Sequence, residues 1–451
     1  MSRFVDNRKS YQQKKENLLS QLKISGKPSI GLNKSTSNLF RHRGPRVANK
    51  IQLNRFNQVV SLDPDQQVAE VEGVATYETI VDALLPHGFA PTVVPELKTI
   101  TLGGAVTGIG IESSSFRYGL VHETVRELEV LTGNGEIVRC APDNEHSGLF
   151  FGFPNSYGTL GYALKVKVMV QPVKPYLRLQ YLRYDNFQSY FAGLGAYCDE
   201  KDRYAFIDGV VFSEHEMYIT LARFTDEAPF TSDYTYLNIY YRSIREKSVD
   251  YLTVHDYLWR WDTDWFWCSN HFLAQNPMVR RLFGRKRLRS TTYWGIRNFC
   301  SRHGITALME KLSRRKKEAV IQDVEIPLAH CEEFIRFFVS EIGITPVWAC
   351  PTRAYDSRAE FSLYPMNPET LYVNFGFWDV VSSDKGPGHY NRLIEEKVES
   401  LGGKKSLYSS SYYSKEKFWQ LYDKKSYDKL RNRYDPGGSF KDLYSKCVRA
   451  D

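Results

Sequence analysis

No run of about 18 apolar residues occurs in the chain, so no segment is long and apolar enough for a membrane-spanning helix. The opening residues, MSRFVDNRKSYQQKKENLL, lack the apolar region of a secretory signal. The seven cysteines (Cys140, Cys198, Cys268, Cys300, Cys331, Cys350 and Cys447) are scattered and odd in number, and none belongs to a CxxC pair. That pattern argues against a disulfide framework and predicts buried thiols in a reduced, cytoplasmic protein. No His/Cys cluster has metal-ligand spacing, so no metal is expected. Internal repeats and low-complexity tracts are absent too. The GxGxxG dinucleotide fingerprint is incomplete. Gly108-Ile109-Gly110 is followed by Ile111-Glu112-Ser113, without the third glycine.

Aromatic residues, by contrast, are plentiful: 14% of the chain, with 30 Tyr and 26 Phe. Such an interior suits a flat or long apolar ligand, or forms a large aromatic core. The 451 residues, 42% hydrophobic and 25% charged, have room for two or three globular domains. The net charge of +8 is unevenly spread. Residues 280–289, RRLFGRKRLR, carry six bases and no acid, and residues 311–317, KLSRRKK, carry five more. No nucleic-acid-binding motif accompanies them, so nucleic acid is not an expected partner. Bases mixed with Leu282, Phe283 and Leu288 fit the surface of an anionic membrane, and a solvated basic face is the alternative.

The densest signal is residues 95–119, PELKTITLGGAVTGIGIESSSFRYG. Gly103, Gly104, Gly108, Gly110 and Gly119, with Ser113, Ser114 and Ser115, leave little side chain to bury and many backbone N–H groups to offer. Successive free N–H groups make an anion nest, and the pyrophosphate of a dinucleotide is the natural anion. The alternative is a turn cluster in an ordinary sheet. The segment feeds RELEVLTGNGEIVRC (126–140), read as two strands joined at Asn134-Gly135, so it is not the strand-to-helix turn of a Rossmann unit.

Elsewhere a polar helix is expected over 8–23, strands over 59–62 and 68–74, and a helix over 77–87 capped by Thr76 and closed by Gly88. A short helix and a second glycine turn, Gly158-Thr159-Leu160-Gly161, precede a strand over 162–170. Pro172 and Pro175 mark a boundary near 176. Strands over 177–184, 205–212 and 216–223 open an aromatic region with four tryptophans between 259 and 267. A tyrosine-rich helical tail follows from 403.

The run TLGGAVTGIGIESSSFRYG, the strand pair with NGEIVRC, then NSYGTLGYALKVKVMVQP and a final RYDP–GGSF resemble the vanillyl-alcohol-oxidase-type flavoproteins with a PCMH-type FAD domain. Within them the similarity is greatest to the delta-24 sterol reductases, through LPHGFAPTVVPEL, GIESSSFRYGL, RRLFG, PVWACP, KEKFWQLYD and YDKLRNRYD. The resemblance implies an α+β fold. A two-subdomain FAD domain would span 1–176, a cap domain with an antiparallel sheet and helices 177–402, and a segment returning to the FAD domain 403–451. It implies FAD lined by Thr101, Gly103, Gly104, Thr107, Gly108, Gly110, Ser113–Ser115, Tyr118 and Gly119. Gly158, Thr159 and Gly161 would lie near its adenine or ribityl part, and Thr36, Ser37 and Asn38 in the first phosphate loop. That loop, NKSTSNLF, has no His and His42 lies off the position, so the FAD is expected to be non-covalent.

The chemistry implied is reduction of a C=C bond in an apolar lipid, a sterol side chain or an unsaturated or methylene-branched acyl chain, with NADPH as electron donor. The proton donor is expected at Tyr412 first and Tyr408 second, and core packing is the alternative for each. Glu112 is a further acid candidate with a structural alternative. Asn374 is placed facing the flavin, and Trp348 and Cys350 are read as core with the substrate cleft as the alternative. Serine at 411, where the related sugar oxidases carry lysine, weakens a sugar-oxidase assignment. Oxidation in the opposite direction, and a non-catalytic flavin-binding, membrane-docking protein, are the competing functions.

Overall fold

A computed structural model describes residues 4–24, 31–32, 39–41, 50–303 and 316–448. Thr36, Ser37, Asn38, His42 and most of the 311–317 run lie outside the described residues. The fold is α+β. A helix α1 (Arg8–Ile24) leads to a parallel two-residue pair, β1 (Gly31–Leu32) with β2 (Lys50–Ile51).

The first sheet contains β3 (Val59–Asp63), β4 (Val68–Glu72), β5 (Phe89–Pro91), β6 (Val125–Leu131), β7 (Ile137–Cys140) and β8 (Tyr162–Pro172), in the order β3-β4-β8-β6-β7 with β5 also on β8. All its pairings are antiparallel. β8 is central because it can bury one face: Leu164, Val166, Val168 and Val170 are buried, while Lys165, Lys167 and Met169 on the other face lie less deep. The β6–β7 hairpin turns through Gly135 at φ +81°, the left-handed conformation that the Asn134-Gly135 pair predicts. Helix α2 (Tyr77–Leu84) starts where Thr76 Oγ1 accepts from the Thr79 N–H at 3.2 Å. A 3₁₀ turn extends it to His87, and Gly88 ends it at φ +79°.

The glycine segment departs from the expected open loop. Residues Leu102–Thr107 form a short helix, α3. Its first donors are spent inside the protein. The Leu102 N–H donates to the Ala75 carbonyl (3.0 Å), the Gly103 N–H to the Gly73 carbonyl (2.9 Å) and the Gly104 N–H to Thr101 Oγ1 (3.3 Å). Gly103 is required by packing: a Cβ there would lie 2.8 Å from the Gly73 oxygen. The glycine therefore lets α3 press against the turn after β4, and these three N–H groups do not form an anion nest.

Helices α4 (Ser115–Tyr118) and α5 (Ser147–Gly152) complete this part. The chain leaves the first sheet at Pro172 and enters the second at Tyr176. The second sheet is eight-stranded and antiparallel. Its members are β9 (Tyr176–Tyr184), β10 (Phe206–Ser213), β11 (Glu216–Thr225), β12 (Val249–Thr253), β13 (Lys316–Pro327), β14 (Val347–Thr352), β15 (Tyr372–Ser383) and β16 (Lys404–Lys405). They run in the order β12-β9-β11-β10-β14-β15-β13-β16. Helices α6 (Phe187–Asp199), α7 (Tyr240–Glu246), α8 (Val254–Leu258), α9 (Pro277–Phe283), α10 (Ser290–Arg302), α11 (Cys331–Phe337) and α12 (His389–Ser400) surround it. One apolar cluster joins α6, α11 and α12 to the inner face of this sheet.

The tail, α13 (Lys415–Leu421), α14 (Lys424–Tyr434) and α15 (Leu443–Cys447), returns to the first sheet. The Asp435 carboxylate accepts from the Ser439 and Phe440 N–H groups. It also occupies the space a side chain at Gly133 would need, its Oδ1 lying 2.1 Å from the ideal Cβ position. Ser439 Oγ donates to the Gly133 carbonyl at 3.0 Å. The YDPGGSF motif is thus a clamp on the β6–β7 turn.

Candidate functional site

A cavity of about 560 Å³ lies between the two sheets. One wall is small and polar: Gly73, Thr101, Gly103, Gly104, Thr107, Gly108, Gly110, Gly158, Gly161 and Ala163. The facing wall is aromatic: Phe40, Trp265, Phe266, Trp348, Trp378 and Tyr408. Gly158 at φ +74° and Gly161 at φ +142° hold the turn that presents the first wall. Phe266 and Trp378 pack at 4.2 Å between ring centroids, so the aromatic wall is a continuous surface.

Of the residues singled out in the sequence, Thr101, Gly103, Gly104, Thr107, Gly108, Gly110, Gly158, Gly161, Trp348 and Tyr408 line this cavity. The remainder of those among the described residues are not part of its lining. Ser114 Oγ donates to the Thr92 carbonyl (2.7 Å), and Ser115 Oγ accepts from the Glu112 N–H (3.1 Å). Tyr118 O–H donates to Gln171 Oε1 (3.2 Å), and Thr159 Oγ1 to the Ser156 carbonyl (2.8 Å). Gly119, at φ +70°, makes room for the Glu123 carboxylate. The Tyr412 ring packs under Arg392, 5.0 Å from its centroid, and against Gly388. Cys350 is fully buried outside the lining.

Three polar groups meet the cavity. The first is cationic. Arg41 and Lys446 both line it and have no acid partner among the described residues. Arg41 donates to the Leu407 carbonyl at 2.8 Å and stacks over Tyr157, and Lys446 Nζ donates to the Tyr157 carbonyl at 2.6 Å. Burial and the neighbouring Arg41 charge pull the Lys446 ammonium down to about 8. A buried guanidinium beside a half-buried ammonium, with no anion among the described residues, favours an anionic ligand.

The second group centres on β13. Asp323 lines the cavity, Asn374 Nδ2 donates to its Oδ1 at 3.4 Å, and Tyr408 bonds to it as well. Burial raises Asp323 to about 7. Trp378 Nε1 donates to the Tyr408 hydroxyl at 2.9 Å, and burial lifts that phenol well above its usual range. Behind it Glu325, bonded by the Tyr364 hydroxyl, is raised to about 8 by burial.

The third group holds Glu112. Its Oε1 accepts from Ser113 Oγ (2.5 Å) and Arg260 Nη2 (3.0 Å), and the same Arg260 nitrogen donates to Asp208 Oδ2 at 2.9 Å. Trp348 Nε1 donates to Asp208 at 3.2 Å. Glu96, 5% exposed and on the cavity wall, hydrogen-bonds to Glu112. Burial first, and the Glu112 charge second, raise Glu96 well above the ordinary carboxylate range.

Arg41, Glu96, Asp323, Trp378 and Lys446 escaped the sequence reading of the site. Asp323 and Glu325 carried a usable signal, two acids in the otherwise apolar strand sequence AVIQDVEIP. Arg41 and Lys446 carried none, because 405 positions separate them and only the fold brings them together.

The FAD binding domain family matches residues 34–141, which include α2, α3, α4 and β3–β7. Over 87% of its length the chain is 27% identical to the human Delta(24)-sterol reductase, covering 76% of that protein. It is 26% identical to a Delta(24)-sterol reductase homolog of Caenorhabditis elegans, with 89% and 79% coverage. Cytokinin dehydrogenase 5 of Arabidopsis thaliana is 29% identical over 125 residues, 28% of the chain and 23% of that protein. The FAD binding domain match and these similarities define the class: an FAD-dependent oxidoreductase. Within it, the chain's extended similarity is to the Delta(24)-sterol reductases, and the dehydrogenase match covers a far shorter stretch.

Proposed function

We propose that this protein reduces a C=C bond in an apolar lipid, a sterol side chain foremost, using non-covalent FAD and hydride from NADPH. The observation that carries this is the cavity itself: a glycine-lined wall, most of it within the FAD-domain match, closed by an aromatic wall in a chain similar over 87% of its length to the human Delta(24)-sterol reductase. Bound and reduced, FAD would supply hydride from its N5. The residues present suit that group. The glycine wall admits a flat ring system, and the unpaired cations Arg41 and Lys446 suit its negative charge. Thr101, Thr107, Gly108 and Gly158 are the matching residues that would contact it. Trp265, Phe266, Trp348 and Trp378 would exclude water and hold the lipid chain.

Tyr408 is the expected tyrosine that reaches the cavity, and Tyr412 does not line it. With its hydroxyl committed to Trp378 and Asp323, Tyr408 positions the site. The partner surface is an anionic membrane, docked through the exposed bases of 281–287.

The test is the anaerobic visible spectrum before and after NADPH, followed by a C24-unsaturated sterol. Flavin bands that bleach with NADPH and return with the sterol are expected. Bands that persist with NADPH but bleach with a saturated lipid would reverse the direction to a desaturase or oxidase. A colourless protein that takes up no FAD would leave a binding role.

A further inference from the structure

We propose that Glu96 is the catalytic acid of this site, holding a proton between itself and Glu112 and delivering it to the alkene. The inference rests on the reductase reading above.

Glu96, Glu112 and Asp208 are buried together (5%, 1% and 1% exposed) around one guanidinium, that of Arg260. Three carboxylates against one cation cannot all be ionised without water, so at least one proton stays in the group. Hydrogen bonding shows where it sits. Arg260 and Trp348 serve Asp208, and Arg260 and Ser113 serve Glu112 Oε1. Glu112 Oε2 and Glu96 Oε1 are both buried and receive no N–H or O–H from another residue. The two carboxyl groups lie within hydrogen-bonding reach of each other, and a pair of carboxyls so placed needs a hydrogen between them. Glu96 bonds Glu112 in this way, and its shift to higher pKa agrees. The other titratable groups acting on this cluster include Tyr190, Tyr240, Tyr257 and Cys350, all raised by burial and neutral, so none removes the need for the proton.

Of the three acids Glu96 is the one on the cavity wall. A carboxylic acid poised above its usual range is a better donor near neutrality than a buried phenol such as Tyr408. In the step, the Glu96 O–H bond breaks and its proton forms a C–H bond with one alkene carbon as the π bond opens. The other carbon takes hydride, with its electron pair, from the reduced flavin. Lipid is reduced by two electrons, flavin is oxidised by two, and Glu96 is left as a carboxylate. It recovers a proton from solvent while NADPH re-reduces the flavin. Asp323 is the rival donor, and its oxygens already accept from Asn374 and Tyr408.

The test compares E96Q, D323N and E112Q with the wild-type holoenzyme. Asp323 and Glu325, also raised by burial, keep their own protonated-carboxyl bands at pH 7, so the infrared spectrum of E96Q is subtracted from that of wild type. The difference should leave one protonated-carboxyl C=O band that shifts in D₂O, and a difference without such a band overturns the proposal whatever the substrate. In stopped flow, NADPH should reduce the flavin of E96Q within about twofold of wild type. Reoxidation by a C24-unsaturated sterol should slow by about 10²–10⁴-fold in E96Q and less than tenfold in D323N. The reverse ranking would assign the proton to Asp323 and overturn the proposal. Should E96Q not fold, E112Q decides. Losing the Glu112 charge lowers the Glu96 pKa, so the alkaline limb of the reoxidation rate must move to lower pH; an unmoved limb counts against Glu96. If wild-type flavin is not reoxidised by any alkene lipid, the reductase reading fails, while the infrared band still settles where the proton is held.

Discussion

Arg41 and Lys446 show how much one pair of side chains decides. Each donates to a carbonyl, and neither meets a carboxylate among the described residues. Their charges are therefore available to a bound anion. Replacing either, R41Q or K446M, should weaken FAD binding by about 1.5–3 kcal/mol, the range for hydrogen bonds to charged groups. Flavin fluorescence titration measures it, and unchanged affinity in both variants would remove these cations from the cofactor site. Asp323 gives a second residue-scale prediction, with its sign fixed by linkage. Its pKa rises from the ordinary aspartate value near 4 to about 7 in the fold. The folded state then keeps a proton that the unfolded chain has released. The stability this provides is complete below about pH 4 and is lost as pH rises through about 7. D323N carries no such loss. Relative to wild type it should gain on the order of 1–4 kcal/mol between pH 4 and pH 8, read from urea midpoints. Parallel curves would mean that Asp323 is ionised in the fold.

At the scale of elements, two short helices depend on single positions. In α3, a methyl at Gly103 meets backbone, not a flexible side chain, so the helix must move off the β4 turn. G103A should lower stability by about 1–3 kcal/mol in the FAD-free protein, and flavin loss should follow from that displacement. A variant whose FAD-free melting temperature is unchanged but which binds no flavin would instead place a ligand atom at that position. In α9, Arg280 belongs to the basic run by sequence and to the core by structure. It is fully buried, donates to Asp264 at 2.5 Å and holds the Tyr236 and Ala274 carbonyls. R280Q should cost about 3–5 kcal/mol, as for other broken buried pairs, while its exposed neighbour R281Q should cost almost nothing. Equal melting temperatures for the two would contradict the buried pairing.

The same contrast shows what the sequence could reveal. Elements with strong local chemistry were legible: the Thr76–Gly88 helix, the Asn134-Gly135 hairpin, the alternating β8. The glycine segment was misjudged as a loop because its helix is set by distant carbonyls of Gly73 and Ala75, which no local pattern reports. For the site, the glycine wall was visible as composition. Of the acids and cations around it Glu112 was singled out and its partners were not, since Glu96, Glu112, Asp208 and Arg260 come from four separate segments.

For the whole molecule, the charge excess and the aromatic interior meet at one face. Arg289 pairs with Glu78 and Arg285 with Asp233, which with Arg280 removes three of the six bases from the expected patch. Arg281, Lys286 and Arg287 remain exposed without an acid partner among the described residues. Beside them stand Leu273, Met278, Leu282 and Phe299, 73%, 71%, 80% and 57% exposed, an unusual cost for a face meant only for water. Met278 and Leu282 are one turn apart on α9 and share its outer side. The inner side leads to the cavity. Phe283 and Phe272 pack on Tyr293, Trp294 of the same helix α10 packs on Phe40 and Trp265, and those two line the cavity wall. Bases for lipid headgroups, apolar side chains for the acyl layer and packed aromatic rings between them and the cavity suit the proposed contact with a bilayer. Charge and insertion make separable contributions. R281Q/K286Q/R287Q should lose about 3 kcal/mol of binding, on the order of 100-fold, to vesicles containing phosphatidylserine, and nothing to neutral ones. M278S/L282S should weaken binding to both, leaving the flavin spectrum intact because neither side chain reaches the cavity. Co-sedimentation that is unchanged in both variants would return this face to solvent and require another route for the substrate.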